Sequence, residues 1–395
     1  MYLVEIILLV YFSYVTCYAF IFSTAALFYK SKKTNDSELF NRIAVLIPAY
    51  KEDAVIVDVA ASSLKQRYPS DKYDVVVIAD SLQGRTLNRL SQLPIKVIEV
   101  SFEKSTKVRA LNKAMEVLSG PYECALVLDA DNVMEENFLR KMNNLYNLRY
   151  KAIQGRREPK NENTKMAVLD GLSETINNFI YRQGHNALGL SSSLNGSGMF
   201  FEYKSLKEIL STMDSIGGFD RELEFRLIER GMPVYYAKNV IVFDEKVDKP
   251  EVFERQRKRW ISSQFFYLRK FFKPGIKALL AGNVNYFNAT VLRNMQLPRL
   301  MNLGLLTFVT CAAVLLARHL AFSPIIWVVL LILNIASIAF AIPARLYNRN
   351  LFKSILLVPS IFVKMFMLFF KLKGANKSFI HTPHGHVEHV DAKNI

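Results

Sequence analysis

The chain of 395 residues is poor in the side chains that build covalent or metal frameworks. Its three cysteines, Cys17, Cys124 and Cys311, are too few and too scattered for a disulfide framework, and none has metal-ligand spacing. Two lie in long apolar runs and one in an apolar stretch with the character of a buried strand, so all three read as packing residues. Of the six histidines, four (His381, His384, His386 and His389) fall in the last stretch, which reads as a flexible tail. There is no internal repeat and no low-complexity tract, which excludes a solenoid. Acidic residues are also scarce: 35 against 51 basic ones, a formal net charge of +16. Together with 51% hydrophobic residues, this points to nucleic acid or a membrane surface as partner. The distribution chooses membrane lipid. Lys30, Lys32 and Lys33 follow the first apolar run, and Arg345 and Arg349 separate the last two, the pattern of cytoplasmic flanks. Nucleic acid is not an expected partner, because no nucleic-acid fold signature is present.

Leu3 to Phe28 is apolar except for Glu5 and is long enough to span a bilayer. It is too long for a signal-peptide core and lacks a basic start, so it reads as a retained transmembrane helix. Thr34 to Leu39 is a polar linker. From Arg42 to Lys160 the pattern is β-α-β. Ile43 to Ile47 is an apolar strand ended by Pro48, and Tyr73 to Asp80, Ile95 to Val100 and Cys124 to Leu128 are further strands. Ala54 to Gln66 and Lys107 to Ser119 read as helices. Continuous apolar strands alternating with helices predict a parallel sheet covered on both faces, with ligands at the carboxyl ends of the strands. Lys151 to Gln154 and Val234 to Val242 read as strands, and Glu162 to Ala187 as mostly helix. Pro250 to Phe272 reads as a helix ended by Pro274. Leu300 to Ala317 and Ile325 to Ala341 are two more spans. Leu351 to Leu372 is apolar, but Lys353, Lys364 and Lys371 interrupt it and Pro359 breaks it. A charge near the centre of a spanning helix costs about 2.5–3.5 kcal/mol. That favours a helix in the cytoplasmic interface, with a full span as the alternative.

The central motif is Ala125-Leu126-Val127-Leu128-Asp129-Ala130-Asp131-Asn132. On a strand, Asp129 and Asp131 point to the same side. Two carboxylates held that close repel, and a divalent cation carrying a phosphate ligand relieves the repulsion. Pro48-Ala49-Tyr50-Lys51-Glu52 and Asp80 lie at two neighbouring strand ends. Further along stand Gly217-Gly218-Phe219-Asp220-Arg221-Glu222, then Phe243-Asp244-Glu245-Lys246, then Arg255-Gln256-Arg257-Lys258-Arg259-Trp260. Gln256, Arg259 and Trp260 share one helical face. They offer an amide, a phosphate clamp and an apolar platform, although a basic amphipathic helix on anionic lipid has the same pattern.

In order and spacing this set resembles the family 2 glycosyltransferases, especially the membrane-embedded relatives of cellulose, chitin and hyaluronan synthases. The resemblance covers roughly Arg42 to Trp260, plus the membrane layout. It implies an α/β, GT-A (Rossmann-like) cytoplasmic domain with N- and C-terminal transmembrane helices, held in the cell membrane. The implied division is a transmembrane helix over 1–29, the GT-A domain over 40–250 and amphipathic interface helices over 251–299. Two transmembrane helices follow over 300–345, then an interfacial or transmembrane helix over 350–373 and a cytoplasmic tail over 374–395. The implied activity is inverting transfer from a nucleotide sugar, usually UDP-linked, with Mg²⁺ or Mn²⁺, to a growing polysaccharide or glycan. Alternatives are single addition to a polyprenyl-linked acceptor and a non-catalytic component of polysaccharide export, and an oligomer or export partner could complete a channel. The resemblance gives Pro48, Ala49, Tyr50, Glu52 and Asp80 to the nucleotide, and Lys107 and Asp129 to the donor. Asp129 and Asp131 face the metal, and Gly196 and Ser197 form the floor where the acceptor arrives. Gln256, Arg259 and Trp260 line the acceptor end and clamp the pyrophosphate. Two alignments compete for the base: the preferred one makes it Asp220, keeping the spacing to Leu223, Arg226, Leu227 and Gly231, and the other, held in reserve, makes it Glu222. With Asp220, Phe219 replaces the usual supporting carboxylate. Arg109, where relatives often have Gly, is either a phosphate contact or a surface charge. Lys373 to His384 weakly resembles the segment that closes over the nucleotide in these synthases.

Overall fold

The structure is a computed structural model and describes residues 2–215, 217–370 and 385. The tail expected over 374–395, with its four histidines, lies outside the described residues apart from Gly385. The chain divides into two compact units. A helical unit comprises Met1–Lys30, Asn163–Leu190 and Val247–Lys373; a sheet unit comprises Ser31–Glu162, Ser191–Lys246 and Gly374–Ile395. Residues 163–190, inside the span expected for the GT-A domain, therefore pack with the helical unit.

The chain opens with α1 (Tyr2–Leu27), whose 26 residues reach about 39 Å at 1.5 Å per residue. Its one charge, Glu5, is buried, and its two oxygens accept the Ala321 and Phe322 amides at 2.8 and 3.1 Å. The carboxylate is thus satisfied within the helical unit.

The sheet unit begins with β1 (Ile43–Tyr50), α2 (Ile56–Ser63), β2 (Tyr73–Asp80), α3 (Gly84–Leu90), β3 (Lys96–Val100), α4 (Lys107–Val117) and β4 (Cys124–Val127). β5 (Val133–Met134), α5 (Phe138–Asn147) and β6 (Ala152–Pro159) follow. The chain then leaves for α6 (Lys165–Asn177), which continues through a π-turn at Asn178–Gly184 into α7 (His185–Ala187). It returns with β7 (Met199–Glu202), α8 (Tyr203–Leu210), α9 (Phe219–Glu229) and β8 (Tyr235–Asp244).

The eight strands form one sheet in the order β3-β2-β1-β4-β7-β6-β8-β5. The first four pair in parallel, as their unbroken apolar runs predict. The other half is mixed: β7 runs antiparallel to β4 and β6, and β5 antiparallel to β8. The antiparallel strand β7 re-enters after the excursion through α6, beyond the stretch for which parallel pairing was expected. β1 also runs through Pro48 instead of ending there. Its pairing with β4 stops at Leu46↔Val127, so the missing proline N–H breaks no ladder bond on that side. Alternate residues of the strands feed two cores. Ile43, Val45, Ile47 and Val75 meet α2 and α5 residues on one face; Ala44, Leu46 and Val76 meet α4, α8 and α9 residues on the other. Each of the valine, leucine and isoleucine side chains contributes about 1.5–3 kcal/mol by burial.

The rest of the helical unit is α10 (Pro250–Leu280), α11 (Val284–Phe287), a π-turn at Asn288–Leu292, α12 (Arg293–Met295), α13 (Arg299–Leu315), α14 (Pro324–Phe340), α15 (Arg349–Ile355) and α16 (Val358–Phe369). α10 runs past Pro274, contrary to the expected stop; an interior proline removes one hydrogen bond and bends a helix without always ending it. Among the described residues, α1 is long and apolar enough to cross a membrane. Two bent pairs reach that standard if each counts as one span: Val284–Met295 with Arg299–Leu315, bent by 58°, and Arg349–Ile355 with Val358–Phe369, bent by 43°. α14 is apolar but has only 17 residues.

Candidate active site

The carboxyl ends of β1, β2 and β4 converge, and β1 and β4 flank the point where the strand order reverses, where doubly wound sheets bind ligands. At the exit of β4, the Asp129 amide donates to Ser197 Oγ at 2.9 Å, and its carboxylate pairs with the Lys107 ammonium at the start of α4. Lys107 also donates to the Gly196 carbonyl at 2.7 Å and lies 5.1 Å from the ring centroid of Phe219, the first residue of α9. One lysine thus ties together β4, the loop at 195–198 and the start of α9. The loop is braced from beneath by buried Gln154, which donates to the Ser197 carbonyl at 2.9 Å and accepts from the Asn195 amide at 3.1 Å. Gly198 sits at φ +61°, and a Cβ there would lie 2.7 Å from Val242 Cγ1, so the loop needs glycine at this point.

Asp131 is buried. Its carboxylate receives the Glu245 amide at a long 3.4 Å, while its backbone carbonyl accepts from Lys160 Nζ. Burial pushes the Lys160 pKa below the ordinary lysine value, against the pull of Asp131, Glu245 and Asp244. Asp244, also buried, is held by Arg157 and by Lys246 at 2.8 Å. The Gly385 amide donates to both Glu245 oxygens at 3.2 Å. Among the described residues no group of three or more His, Cys, Asp or Glu is gathered as a metal cage. Asp129 and Asp131 still fit Mg²⁺ or Mn²⁺, since Mg²⁺ is usually held by one or two carboxylates plus substrate phosphates, and the Asp131 carboxylate has spare lone pairs.

At the neighbouring strand ends, Asp80 closes β2 opposite Tyr50 on β1. Its carboxylate is buried, accepts from Ser81 Oγ at 3.0 Å, and its carbonyl accepts the Lys51 amide at 3.1 Å. Lys51 and Ser81 both adopt positive φ, 57° and 59°, an uncommon conformation for side-chain-bearing residues. Pro48, Ala49 and Tyr50 complete β1, with Glu52 buried just beyond.

The two candidate bases differ sharply. Glu222 is 2% exposed, accepts Arg226 at 2.8 and 3.1 Å and Ser215 Oγ at 2.7 Å, and is a buried structural pair. Asp220, on the first turn of α9, is half-buried, and its carboxylate has no partner among the described residues. Arg109 pairs with Asp214 at 3.1 Å on the surface and tethers α4 to the loop before α9. Gln256, Arg259 and Trp260 lie on α10, in the helical unit, with Trp260 37% exposed. The sequence reading missed Lys160 and Gln154. The β6–β8 ladder jumps from Gly155↔Ala237 to Arg156↔Ile241, and no local pattern announces such an irregularity.

A profile described as "Glycosyltransferase like family 2" matches residues 41–263. The beta-monoglucosyldiacylglycerol synthase of Trichormus variabilis is 26% identical over 232 residues, covering 55% of this chain and 48% of that protein. A dolichyl N-acetyl-alpha-D-glucosaminyl phosphate 3-beta-D-2,3-diacetamido-2,3-dideoxy-beta-D-glucuronosyltransferase of Methanococcus voltae is 24% identical over 224 residues, 51% of this chain and 66% of that protein. The chain spans about half the length of the first of these relatives. A mannosyltransferase of Pyrobaculum calidifontis, solved in complex with GDP-Man and Mn²⁺, matches with a TM-score of 0.57 at 14% identity, covering 92% of this chain and 96% of that one. At that identity the likeness is one of fold, the GT-A fold. The profile covers more than half of the sequence, and the chain belongs to glycosyltransferase family 2.

Proposed function

We propose that this chain is an inverting, membrane-anchored glycosyltransferase that uses a nucleoside diphosphate sugar and a divalent cation to glycosylate a lipid or lipid-linked acceptor. The observation that carries the reading is Asp129-Ala130-Asp131 at the end of β4, beside the reversal in strand order, with ammonium groups from Lys107 and Lys160 against it. Pro48 to Tyr50, Glu52 and Asp80 hold the base and ribose, and Lys107 and Asp129 the sugar diphosphate. A cation held by Asp129 and Asp131 supplies positive charge to the departing diphosphate. UDP-linked and GDP-linked donors are both compatible with these residues.

Asp220 accepts the proton of the acceptor hydroxyl as that oxygen bonds to the anomeric carbon, and the nucleoside diphosphate leaves from the opposite face. A carboxylate is a weak base, so proton transfer must accompany attack. Its carboxylate, without a partner among the described residues, supports this role, whereas the buried pair with Arg226 argues against Glu222. Gly196 and Ser197 form the acceptor floor, and Gln256, Arg259 and Trp260 the acceptor and pyrophosphate contacts. The names of the relatives, a diacylglycerol and a dolichyl phosphate, support a lipid acceptor over a growing polysaccharide. A membrane location rests on α1 and the bent helix pairs.

The reading is tested by offering the full-length protein, in membranes, a panel of nucleotide sugars and measuring nucleotide release. One donor should give release that depends on added lipid acceptor and on Mg²⁺ or Mn²⁺. No release with any donor and acceptor, or release indifferent to Asp220→Asn, contradicts it.

A further inference from the structure

From Arg255 to Val387 the sequence carries no aspartate or glutamate. Glu254, the last acid before that stretch, pairs with Lys364 at 3.2 Å. The second half of α10 therefore has cations and no acid of its own to balance them. Arg269, Lys270, Lys273 and Lys277 are all exposed there. Spacings of three and four residues put them on one helical face, between Phe266, 49% exposed, and Leu280, 84% exposed. Arg269, Lys273 and Lys277 have no carboxylate partner among the described residues.

The opposite face is fixed inward. Tyr267, Phe271 and Gly275 follow one another at intervals of four and are buried. A Cβ on Gly275 would lie 2.5 Å from Thr290 Oγ1 and 2.6 Å from Val291 Cγ2, so α10 lies tight against the π-turn at Asn288–Leu292 and cannot roll its cations into the core. At 3.6 residues per turn, Phe272 and Leu279 fall on the flank between the buried face and the cationic one. They too are large apolar side chains left 41% and 38% exposed. Exposed lysines alone are ordinarily a solvated face, but a solvated face gains nothing from two phenylalanines and two leucines beside its charges.

We propose that the second half of α10 docks on a bilayer surface rich in anionic headgroups. Arg269, Lys270, Lys273 and Lys277 meet the headgroups, and Phe272 and Leu279 enter the boundary of the acyl chains. A nucleic acid would take the cations but leave the apolar flank in water. A zwitterionic bilayer would cover the flank but offer no net charge to four cations. An anionic bilayer answers both, and each cation held near it strengthens the contact about fivefold. The contact is with the lipid surface and not with a reacting acceptor. The inference therefore goes beyond the transferase reading, and its readout needs no donor sugar.

The test uses the full-length protein in nanodiscs made of equal parts phosphatidylcholine and phosphatidylglycerol. A trace of one lipid or the other carries a photoreactive group at the top of one acyl chain, and cross-linked residues are mapped by mass spectrometry. Phosphatidylglycerol should label Phe266 to Leu280 about fivefold more than phosphatidylcholine does. That preference should fall to less than about twofold in about 1 M salt, where the screening length is about 3 Å. Arg269→Gln, Lys273→Gln and Lys277→Gln together should abolish it. Arg318→Gln, exposed between α13 and α14, should change it less than about twofold, as expected for a solvated charge. Equal labelling by the two lipids, a preference indifferent to salt, or an equal loss with Arg318→Gln overturns the proposal. So does labelling that spares Phe266 to Leu280, or that a competing oligonucleotide abolishes. The salt series needs no variant, so the proposal stays falsifiable even if the triple variant fails to fold.

Discussion

Asp220 and Glu222 stand two positions apart on one helix turn, and the packing of α9 separates their chemistry. Glu222 turns inward to Arg226 and Ser215, while the Asp220 carboxylate has no partner among the described residues. Asp220→Asn should lower turnover by a factor of about a hundred or more, the scale of a lost general base, and leave donor binding unchanged. Glu222→Gln should do the reverse: thermal unfolding should show a loss of about 1.5–3 kcal/mol from its charged hydrogen bonds, while the folded fraction keeps its turnover. A folded Asp220→Asn enzyme of normal rate would remove Asp220 from the mechanism. At the loop opposite, Gly198→Ala meets both a left-handed φ and the Val242 methyl, and should cost about 1–3 kcal/mol in the same assay.

Single elements were legible in the sequence to the degree that their cause was local. The strands of the parallel half announced themselves by unbroken apolar runs, and α1 by its length. β8 was also legible as a strand, but its partners and those of β7 are set by distant register, and the irregular pairing of β6 with β8 that accompanies Lys160 beside Asp131 has no local sign. Pro48 and Pro274 misled for the same reason: each lies where its missing N–H is tolerated by pairing or helix context that no short window contains. At the amino ends of β1, β2 and β3, a cluster of Arg42, Asp74, Lys96 and Tyr122 ties neighbouring strands together. Burial pushes the Asp74 carboxyl up, but hydrogen bonds from Tyr122 and Arg42 and the Lys96 charge outweigh it and hold the pKa below the ordinary carboxylate value. A depressed carboxyl contributes stability above its unfolded pKa, about 3.9, and loses it as pH falls through the folded value. Asp74→Asn should therefore lower stability near neutral pH and flatten its decline on acidification. A variant with an unchanged acid limb in denaturant titrations would show that the cluster carries no linkage.

At the scale of the whole molecule, the chain couples a GT-A sheet unit to a helical unit with an exposed apolar surface and a basic α10. Composition already pointed there: an apolar, strongly basic chain is suited to an anionic membrane surface. The division of labour could not be read from it, because α6 and α7 belong to the helical unit although they interrupt the sheet unit in sequence. The central claim is that Asp129 and Asp131 hold a nucleotide sugar through a divalent cation. Calorimetric titration of the full-length protein with UDP and GDP, in Mn²⁺ and in EDTA, for the natural chain and for Asp131→Ala, tests it most directly. The account predicts binding of at least one nucleotide in Mn²⁺, weakened about tenfold or more by EDTA and by Asp131→Ala alike. Binding of equal strength in all three conditions, or of neither nucleotide in Mn²⁺, would contradict it.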